Sequence, residues 1–92
     1  MAHERPVPTA VASEVGRRVR KARHDAGLSR RELASACRVA SSYVGLIESG
    51  RRCPSFGLLL TLSRVLNVDM ARLAQGLQAL PVDGWHRVML GQ

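Results

Sequence analysis

The chain has 92 residues, of which 46% are apolar, and this supports one small domain rather than two. Fourteen arginine and lysine residues against seven acidic residues give a formal net charge of +7, which favours a polyanionic partner. No apolar run approaches the roughly 20 residues of a membrane-spanning helix, and the first residues lack the apolar block of a secretory signal. We therefore expect no membrane contact and a cytoplasmic location.

The N-terminal segment predicts an arm followed by a helix. Residues 1–12 contain Pro6 and Pro8 and show no helical period, so we expect a flexible arm. Ser13 is a candidate N-cap of a first helix, and Gly27 would end it. The apolar residues of this helix recur every three or four positions, as Val15, Val19, Ala22 and Ala26.

Two short helices are predicted next. Ser29 with Glu32 three positions later forms a capping box, and the buried side of the second helix would consist of Leu33, Ala34 and Cys37. After a break at residues 38–40, Ser41 or Ser42 begins a third helix that ends at Gly50. Its inward residues would be Tyr43, Val44 and Ile47.

Two further helices complete an all-α, five-helix prediction. Ser55 is a candidate cap for a fourth helix, and Asp69 for a fifth. The inward residues would be Phe56, Leu59, Leu62 and Leu66 in the fourth helix, and Met70, Leu73 and Leu77 in the fifth. We therefore expect a folded domain over residues 13–79 and a C-terminal tail over residues 80–92.

The positive charge is concentrated in the first half of the chain. Residues 14–38 contain eight basic and three acidic residues, a local excess of +5. The alternative is a solvated surface in an arginine-rich proteome, because thirteen of the fourteen basic residues are arginine. The local concentration favours nucleic acid, and two short helices joined by a three-residue break suggest a helix-turn-helix.

The segment from Val15 to Ala74 resembles the lambda-repressor and Cro-like (XRE-type) helix-turn-helix family of small regulators. The resemblance rests on the joint spacing of Leu28-Ser29, Glu32-Leu33-Ala34, Val39, Ser42-Tyr43, Ile47-Glu48, Gly50, Pro54-Ser55, Leu59-Leu60 and Leu66. It implies a five-helix domain with the helix-turn-helix at helices two and three. It also implies a transcriptional regulator of double-stranded DNA that has no cofactor, no metal and no catalytic site.

The resemblance implies that residues 41–49 form the recognition helix. Its base-contacting positions correspond to Ser41, Ser42, Gly45 and Leu46, none of which offers a bidentate fork to a base. Sequence recognition would then depend partly on DNA shape. The alternative for the two serines is capping of the third helix, and both roles can coexist.

The resemblance also implies phosphate contacts and a structural ion pair. The phosphate-contacting positions correspond to Ser29, Arg30, Arg31, Ser49, Arg51 and Arg52, with Arg30 where the family usually has glutamine. Arg23 and Glu48 match an arginine and a glutamate that many members pair, and we expect this pair to orient the recognition helix.

Three residues depart from the family pattern. Arg38 occupies the turn position where glycine is commonest, and a left-handed conformation there would cost about 1 kcal/mol, so we expect a reshaped turn. Ala40 replaces the usual hydroxyl cap of the third helix, which must be capped later or remain uncapped. Leu58 and Val65 stand where exposed polar residues are usual, and we expect them to need a partner.

A homodimer on an inverted repeat is the expected assembly, with helices four and five and the tail in the interface. The candidate interface residues are Leu58, Val65, Met70, Leu77, Trp85 and Val88. For Trp85 the alternative is a tail folded back onto its own core. The alternative function is an antitoxin or another protein-interaction module that binds a partner protein through residues 80–92.

An enzyme or metal protein is not supported by the remaining residues. The three histidines have no nucleophile or carboxylate partner at matched helical spacing. Cys37 and Cys53 lie sixteen positions apart without a CxxC motif, which indicates plain thiols. A weaker alternative is redox sensing, since the arginine-rich loop around Cys53 would lower its thiol pKa.

Overall fold

The computed structural model describes residues 9–74, and in this range it contains five helices and no strand. These are α1 (Thr9–Asp25), α2 (Arg30–Cys37), α3 (Ser41–Glu48), α4 (Phe56–Leu66) and α5 (Met70–Leu73). The predicted all-α, five-helix architecture is confirmed. Over the same residues, no helix combines the length and the hydropathy needed to cross a bilayer.

Helix α1 begins five residues earlier than predicted, at Thr9 instead of directly after Ser13. Ser13 lies inside the helix and not at its N-cap, and Val11 is buried with only 2% of its surface exposed. Val11, Val15 and Val19 are spaced four apart and form one stripe against the core, which is why the helix extends to Thr9. Residues 9–12, expected in a flexible arm, are therefore helical, whereas residues 1–8 lie outside the described range.

The predicted capping box of α2 is confirmed. The Glu32 amide donates to the Ser29 hydroxyl at 3.0 Å, and the Ser29 amide donates to the Glu32 carboxylate at 2.8 Å. The hydrogen bond from the Ser29 backbone, followed by that of its side chain, lowers the pKa of Glu32. This box fixes the start of α2 directly after the turn at Gly27.

The turn between α2 and α3 keeps the left-handed geometry despite its arginine. Arg38 has φ 59° and ψ 42°, and its amide donates to the carbonyls of Ala34 and Ser35 as a C-cap. The expectation of a reshaped turn is therefore wrong. The two hydrogen bonds and the packing of Val39 against the core maintain the conformation in spite of its steric cost.

The left-handed turn gives a stability prediction. We expect Arg38→Gly to raise the free energy of unfolding by about 1 kcal/mol, because glycine has no Cβ to strain this conformation. Asn67→Gly is the matched control, since Asn67 also caps a helix at φ 55° but asparagine tolerates this region better. Urea denaturation of both variants measures the difference. An equal increase in the free energy of unfolding for both variants would contradict the view that the strain is larger at arginine than at asparagine.

Helices α1 and α3 lie unusually close together. A Cβ at Gly16 would overlap the carbonyl oxygen of Ile47 and lie 2.9 Å from that of Glu48. At the end of α3, Gly50 has φ 81° and approaches Ser13 of α1 in the same way. The two glycines allow the backbones to touch, so α1 provides a rigid support for α3.

Helix α4 packs differently from the prediction at its edges. Leu59, Leu62 and Leu66 are buried as predicted, but Phe56 is 73% exposed. Leu58 and Val65, expected to be exposed, are half-buried and pack against the domain's own core. Phe56 begins the helix and lies at the margin of its apolar face, where the core no longer covers it.

Some of the other residues predicted to face the core do so, and others do not or lie outside the described residues. In α1, Ala22 packs against the core, whereas Ala26 lies beyond the helix and is exposed. In α5, Leu73 is buried and Met70 half-buried. Leu77, Trp85, Val88 and the whole of residues 80–92 lie outside the described residues.

Candidate nucleic-acid interface

Helix α3 presents one face to the core and the other to solvent. Val44 and Ile47 are almost fully buried, while Ser41 and Ser42 are exposed. Gly45 and Leu46 are half-buried on the outer side, so the four predicted base-contacting positions share one accessible face. This places them together on a surface that DNA can reach.

The N-terminus of α3 has no side-chain cap. The N-cap is Ala40, whose methyl side chain cannot accept a hydrogen bond, and the two serines follow it in the first turn. The alternative interpretation, in which Ser41 or Ser42 caps α3, is therefore wrong. Their hydroxyls remain available to a ligand, as do backbone N–H groups at the positive end of the helix dipole.

Exposed arginines surround this face. Five lie between residues 29 and 52, whereas Glu48 is buried and Glu32 is engaged in the capping box. They are Arg30, Arg31, Arg38, Arg51 and Arg52. The surface around α2 and α3 is therefore strongly positive, as binding to phosphate requires.

The loop after α3 is tied to the helix by its backbone. The carbonyl of Leu46 accepts from the amides of Arg51 and Arg52 at 2.9 and 3.2 Å, and from the Ser49 hydroxyl at 3.1 Å. These bonds leave both arginine side chains exposed beside α3. On the other side, the Ser29 hydroxyl accepts from the Glu32 amide, so its O–H group remains a donor that a phosphate oxygen could accept from.

Arg23 and Glu48 form a buried bidentate ion pair between α1 and α3. Arg23 Nε lies 2.6 Å from Glu48 Oε2, and Arg23 Nη2 lies 3.0 Å from Oε1. Arg23 Nη1 also donates to the carbonyl of Leu28 at 2.9 Å. The hydrogen bonds to Glu48 raise the pKa of Arg23. The pair fixes the end of α3 to α1 and to the start of the α2 segment.

A second arginine, not foreseen in this role, reaches the same carboxylate. Arg30 Nε donates to Glu48 Oε1 at 3.3 Å, although the Arg30 side chain is 54% exposed. Sequence reasoning placed Arg30 at the phosphate backbone and did not connect it with Glu48. Arg30 Nη1 lies over α3, 3.8 Å from the position that a Cβ of Gly45 would occupy.

The cysteines and acidic residues form no reactive site in the described part of the chain. Burial raises the pKa of the Cys37 thiol and of the Cys53 thiol. The suggestion that the arginine-rich loop lowers the pKa of Cys53 is therefore wrong, because desolvation of the half-buried thiol raises this pKa. Among residues 9–74, no three potential metal ligands cluster.

The thiol environments predict slow alkylation. At pH 7 both thiols should react with iodoacetamide more slowly than free cysteine, since a raised pKa leaves less thiolate. Their rates should continue to rise at pH values above the pH at which the rate of free cysteine levels off. Mass spectrometry of the labelled peptides measures both rates, with the urea-unfolded chain as control. A rate at Cys53 above that of the unfolded chain would contradict this account.

Known proteins share this fold. A family model described as "Helix-turn-helix domain" matches residues 14–82. The solved structure of the restriction-modification controller protein C.AhdI from Aeromonas hydrophila is 34% identical, with a TM-score of 0.65 over 67% of this chain and 94% of that one. The clp gene regulator ClgR from Corynebacterium glutamicum is 30% identical, with a TM-score of 0.68 over 87% of this chain and 88% of that one.

A hypothetical transcription factor, NHTF from Neisseria, shows the same fold at 22% identity, with a TM-score of 0.67 over 96% of this chain and 95% of that one. Among curated protein sequences, none matches the chain. The family match covers most of the chain, and the fold is that of lambda-repressor-like domains. Regulators of this kind bind DNA and are not enzymes. The chain belongs to the helix-turn-helix family of DNA-binding transcriptional regulators, of the XRE type.

Proposed function

We propose that the protein is a sequence-specific transcriptional regulator that binds double-stranded DNA as a homodimer on an inverted repeat, with α3 in the major groove. The observation that carries this proposal is the accessible face of α3, surrounded by exposed arginines and fixed to α1 by the buried Arg23–Glu48 pair. A rigid helix with a positive surround suits the major groove.

The residue roles follow from position and chemistry. Ser41, Ser42 and Leu46 face the bases, where a hydroxyl can accept or donate and leucine can contact a thymine methyl. Ser29, Arg31, Ser49, Arg51 and Arg52 approach the phosphates on both sides of α3. Gly45 has no side chain, so the base edges can approach the backbone of α3 closely at this position.

The dimer interface of this proposal lies on α4 and α5. Leu58, Val65 and Met70 are only half-buried by the domain's own core, so a second copy would cover the rest of their surface. Leu77, and Trp85 and Val88 of the tail, complete the proposed interface. A two-fold dimer would set two α3 helices about 34 Å apart, one turn of DNA.

Selection from genomic DNA is the first test. The purified protein is incubated with sheared DNA from its source at near-physiological salt, and bound fragments are sequenced. Sharp peaks that contain inverted half-sites about one turn apart would support the proposal. A diffuse background that disappears with added salt would refute sequence-specific regulation.

Paired variants separate base contacts from phosphate contacts. Ser42→Ala should weaken binding to selected sites and leave random DNA unaffected, whereas Arg52→Ala should weaken both and reduce the salt slope by about one unit. Arg64→Ala on α4 removes an exposed charge away from α3 and is the matched control. Similar losses for Ser42→Ala on both DNAs would contradict its assignment as a base reader.

The oligomeric state tests the interface. Val65→Lys should shift the protein from dimer to monomer in sedimentation equilibrium, because it places a charge in the proposed contact. Leu60→Lys is the matched control on the same helix, since Leu60 is exposed on the flank opposite Val65. Circular dichroism checks that both variants fold. A dimer lost with Leu60→Lys and kept with Val65→Lys would reject this interface.

A second candidate function is a protein-interaction module, such as an antitoxin that binds a partner protein. One observation favours it, because Phe56 and Leu60 expose apolar surface that neither DNA contact nor the proposed dimer uses. The double variant Phe56→Ser with Leu60→Ser tests this surface, and truncation after residue 79 tests the tail. Loss of a copurifying partner with DNA binding unchanged would support the module.

A further inference from the structure

The side chain of Arg30 is oriented by Glu48 in a way that leaves its outer edge free. Its Nε is 3.3 Å from Glu48 Oε1, while the same carboxylate is fixed by Arg23. Within residues 9–74, neither terminal nitrogen of Arg30 donates a side-chain hydrogen bond to an acceptor. A guanidinium held through Nε presents Nη1 and Nη2 together, which is the fork that binds two acceptors at once.

The fork lies against α3 beside Gly45. Arg30 Nη1 is 3.8 Å from the position that a Cβ of Gly45 would occupy, so the guanidinium lies against α3. Gly45 is one turn from Ser41 and from Ser49, both exposed, and so it lies in the middle of the outer face. The fork is therefore placed where α3 would meet the base edges, in addition to its position at the start of α2.

We infer that Arg30 reads a guanine in the major groove, with Nη1 and Nη2 donating to O6 and N7, and that Glu48 is its positioning residue. This inference rests on the proposed function and replaces the expected phosphate contact of Arg30. The serines and Leu46 of α3 provide no bidentate contact, whereas an arginine fork on guanine is the commonest specific contact in the major groove. One side chain from α2 thus supplies the base discrimination that α3 lacks.

The test combines a protein change with a change of one DNA atom. Binding sites are first selected from a randomised library with the wild-type protein. Each guanine of the half-site is then replaced by 7-deazaguanine, which removes only the N7 acceptor. We expect one position at which this replacement weakens wild-type binding, while Arg30→Ala is insensitive to it. Replacing that guanine by another base should weaken wild-type binding about 5- to 150-fold.

Two further variants define the outcome. Arg31→Ala is the matched control, since it removes the neighbouring exposed charge and should remain as sensitive to 7-deazaguanine as the wild type. Arg30→Lys keeps the charge, so it should preserve the salt slope and yet discriminate less against other bases at that position. Arg30 is half exposed, so these changes should not unfold the domain.

The failure of the inference differs from the failure of the proposed function. A wild-type protein that selects inverted repeats, with Arg30→Ala equally weakened on every DNA and no coupling to any guanine, would assign Arg30 to phosphate. That result would overturn the inference and leave the proposed function intact. A wild-type protein that selects no sequence would overturn both.

Discussion

Gly16→Ala should destabilise the domain by about 3 kcal/mol, although alanine is the better helix former. The added methyl group would overlap the carbonyl oxygen of Ile47 and approach that of Glu48, and both are backbone atoms of α3 that cannot rotate away. The helices must then separate, which also disturbs the nearby ion pair. Urea denaturation followed by circular dichroism measures the loss.

Gly57→Ala provides the matched control for this experiment. Gly57 lies in α4, and a Cβ there would meet nothing within 4 Å. The substitution should therefore stabilise the domain by about 0.5–1 kcal/mol through helix propensity alone. If Gly16→Ala stabilised the domain as Gly57→Ala is expected to do, the backbones of α1 and α3 could not be in such close contact at Gly16.

Glu48→Ala should lower the free energy of unfolding by about 3–5 kcal/mol, the usual cost of removing one partner of a buried ion pair. The Glu48 side chain is 2% exposed and the Arg23 side chain 9%, so the substitution leaves a buried guanidinium without its carboxylate. Sequence-specific DNA binding should fall as well, because both the end of α3 and Arg30 lose their anchor. Denaturation and binding to a selected site measure the two effects.

The exposed ion pair of α1 is the control for Glu48. Glu14 Oε2 lies 2.6 Å from Arg17 Nη2 and 2.8 Å from Arg18 Nε, but the Arg17 side chain is 61% exposed, so Glu14→Ala should cost far less stability than Glu48→Ala. The double variant Arg23→Met with Glu48→Leu should recover much of the lost stability, since apolar residues can replace a buried pair. Without such recovery, the loss in Glu48→Ala could not be assigned to the unpaired charge of Arg23.

The parts of the fold that local chemistry determines could be predicted from the sequence. The Ser29–Glu32 box and Ser55 each mark a helix start by their own hydrogen bonds, and Gly27 has the expected positive φ. The stripe of Val15 and Val19 likewise identifies the core face of α1. These signals lie within a few residues of the feature that they predict, so no tertiary contact is needed to interpret them.

Features that depend on packing between distant segments were missed. Helical periodicity places Phe56 near the apolar face of α4, but only the positions of the other helices decide that the core does not reach it. Likewise, the extension of α1 to Thr9 depends on a partner for Val11. The pairing of Arg30 with Glu48 joins residues 18 positions apart, and the resemblance implied only the Arg23 partner.

The uncapped start of α3 has a consequence for amide hydrogen exchange. Because Ala40 has no polar side chain to cap α3, the amides of Ser41 and Ser42 at the start of the helix are left to solvent in the free protein, whereas those of Tyr43 and Val44 donate to the Ala40 carbonyl. The two solvated amides should exchange faster than the corresponding groups of α2, whose first turn the Ser29–Glu32 box stabilises. A phosphate oxygen at this end would supply the missing acceptor, so DNA should slow their exchange more than that of any capped helix start. DNA would then supply the hydrogen-bond acceptor that the first turn of α3 lacks. The stability of this turn and the affinity for DNA would therefore be thermodynamically linked.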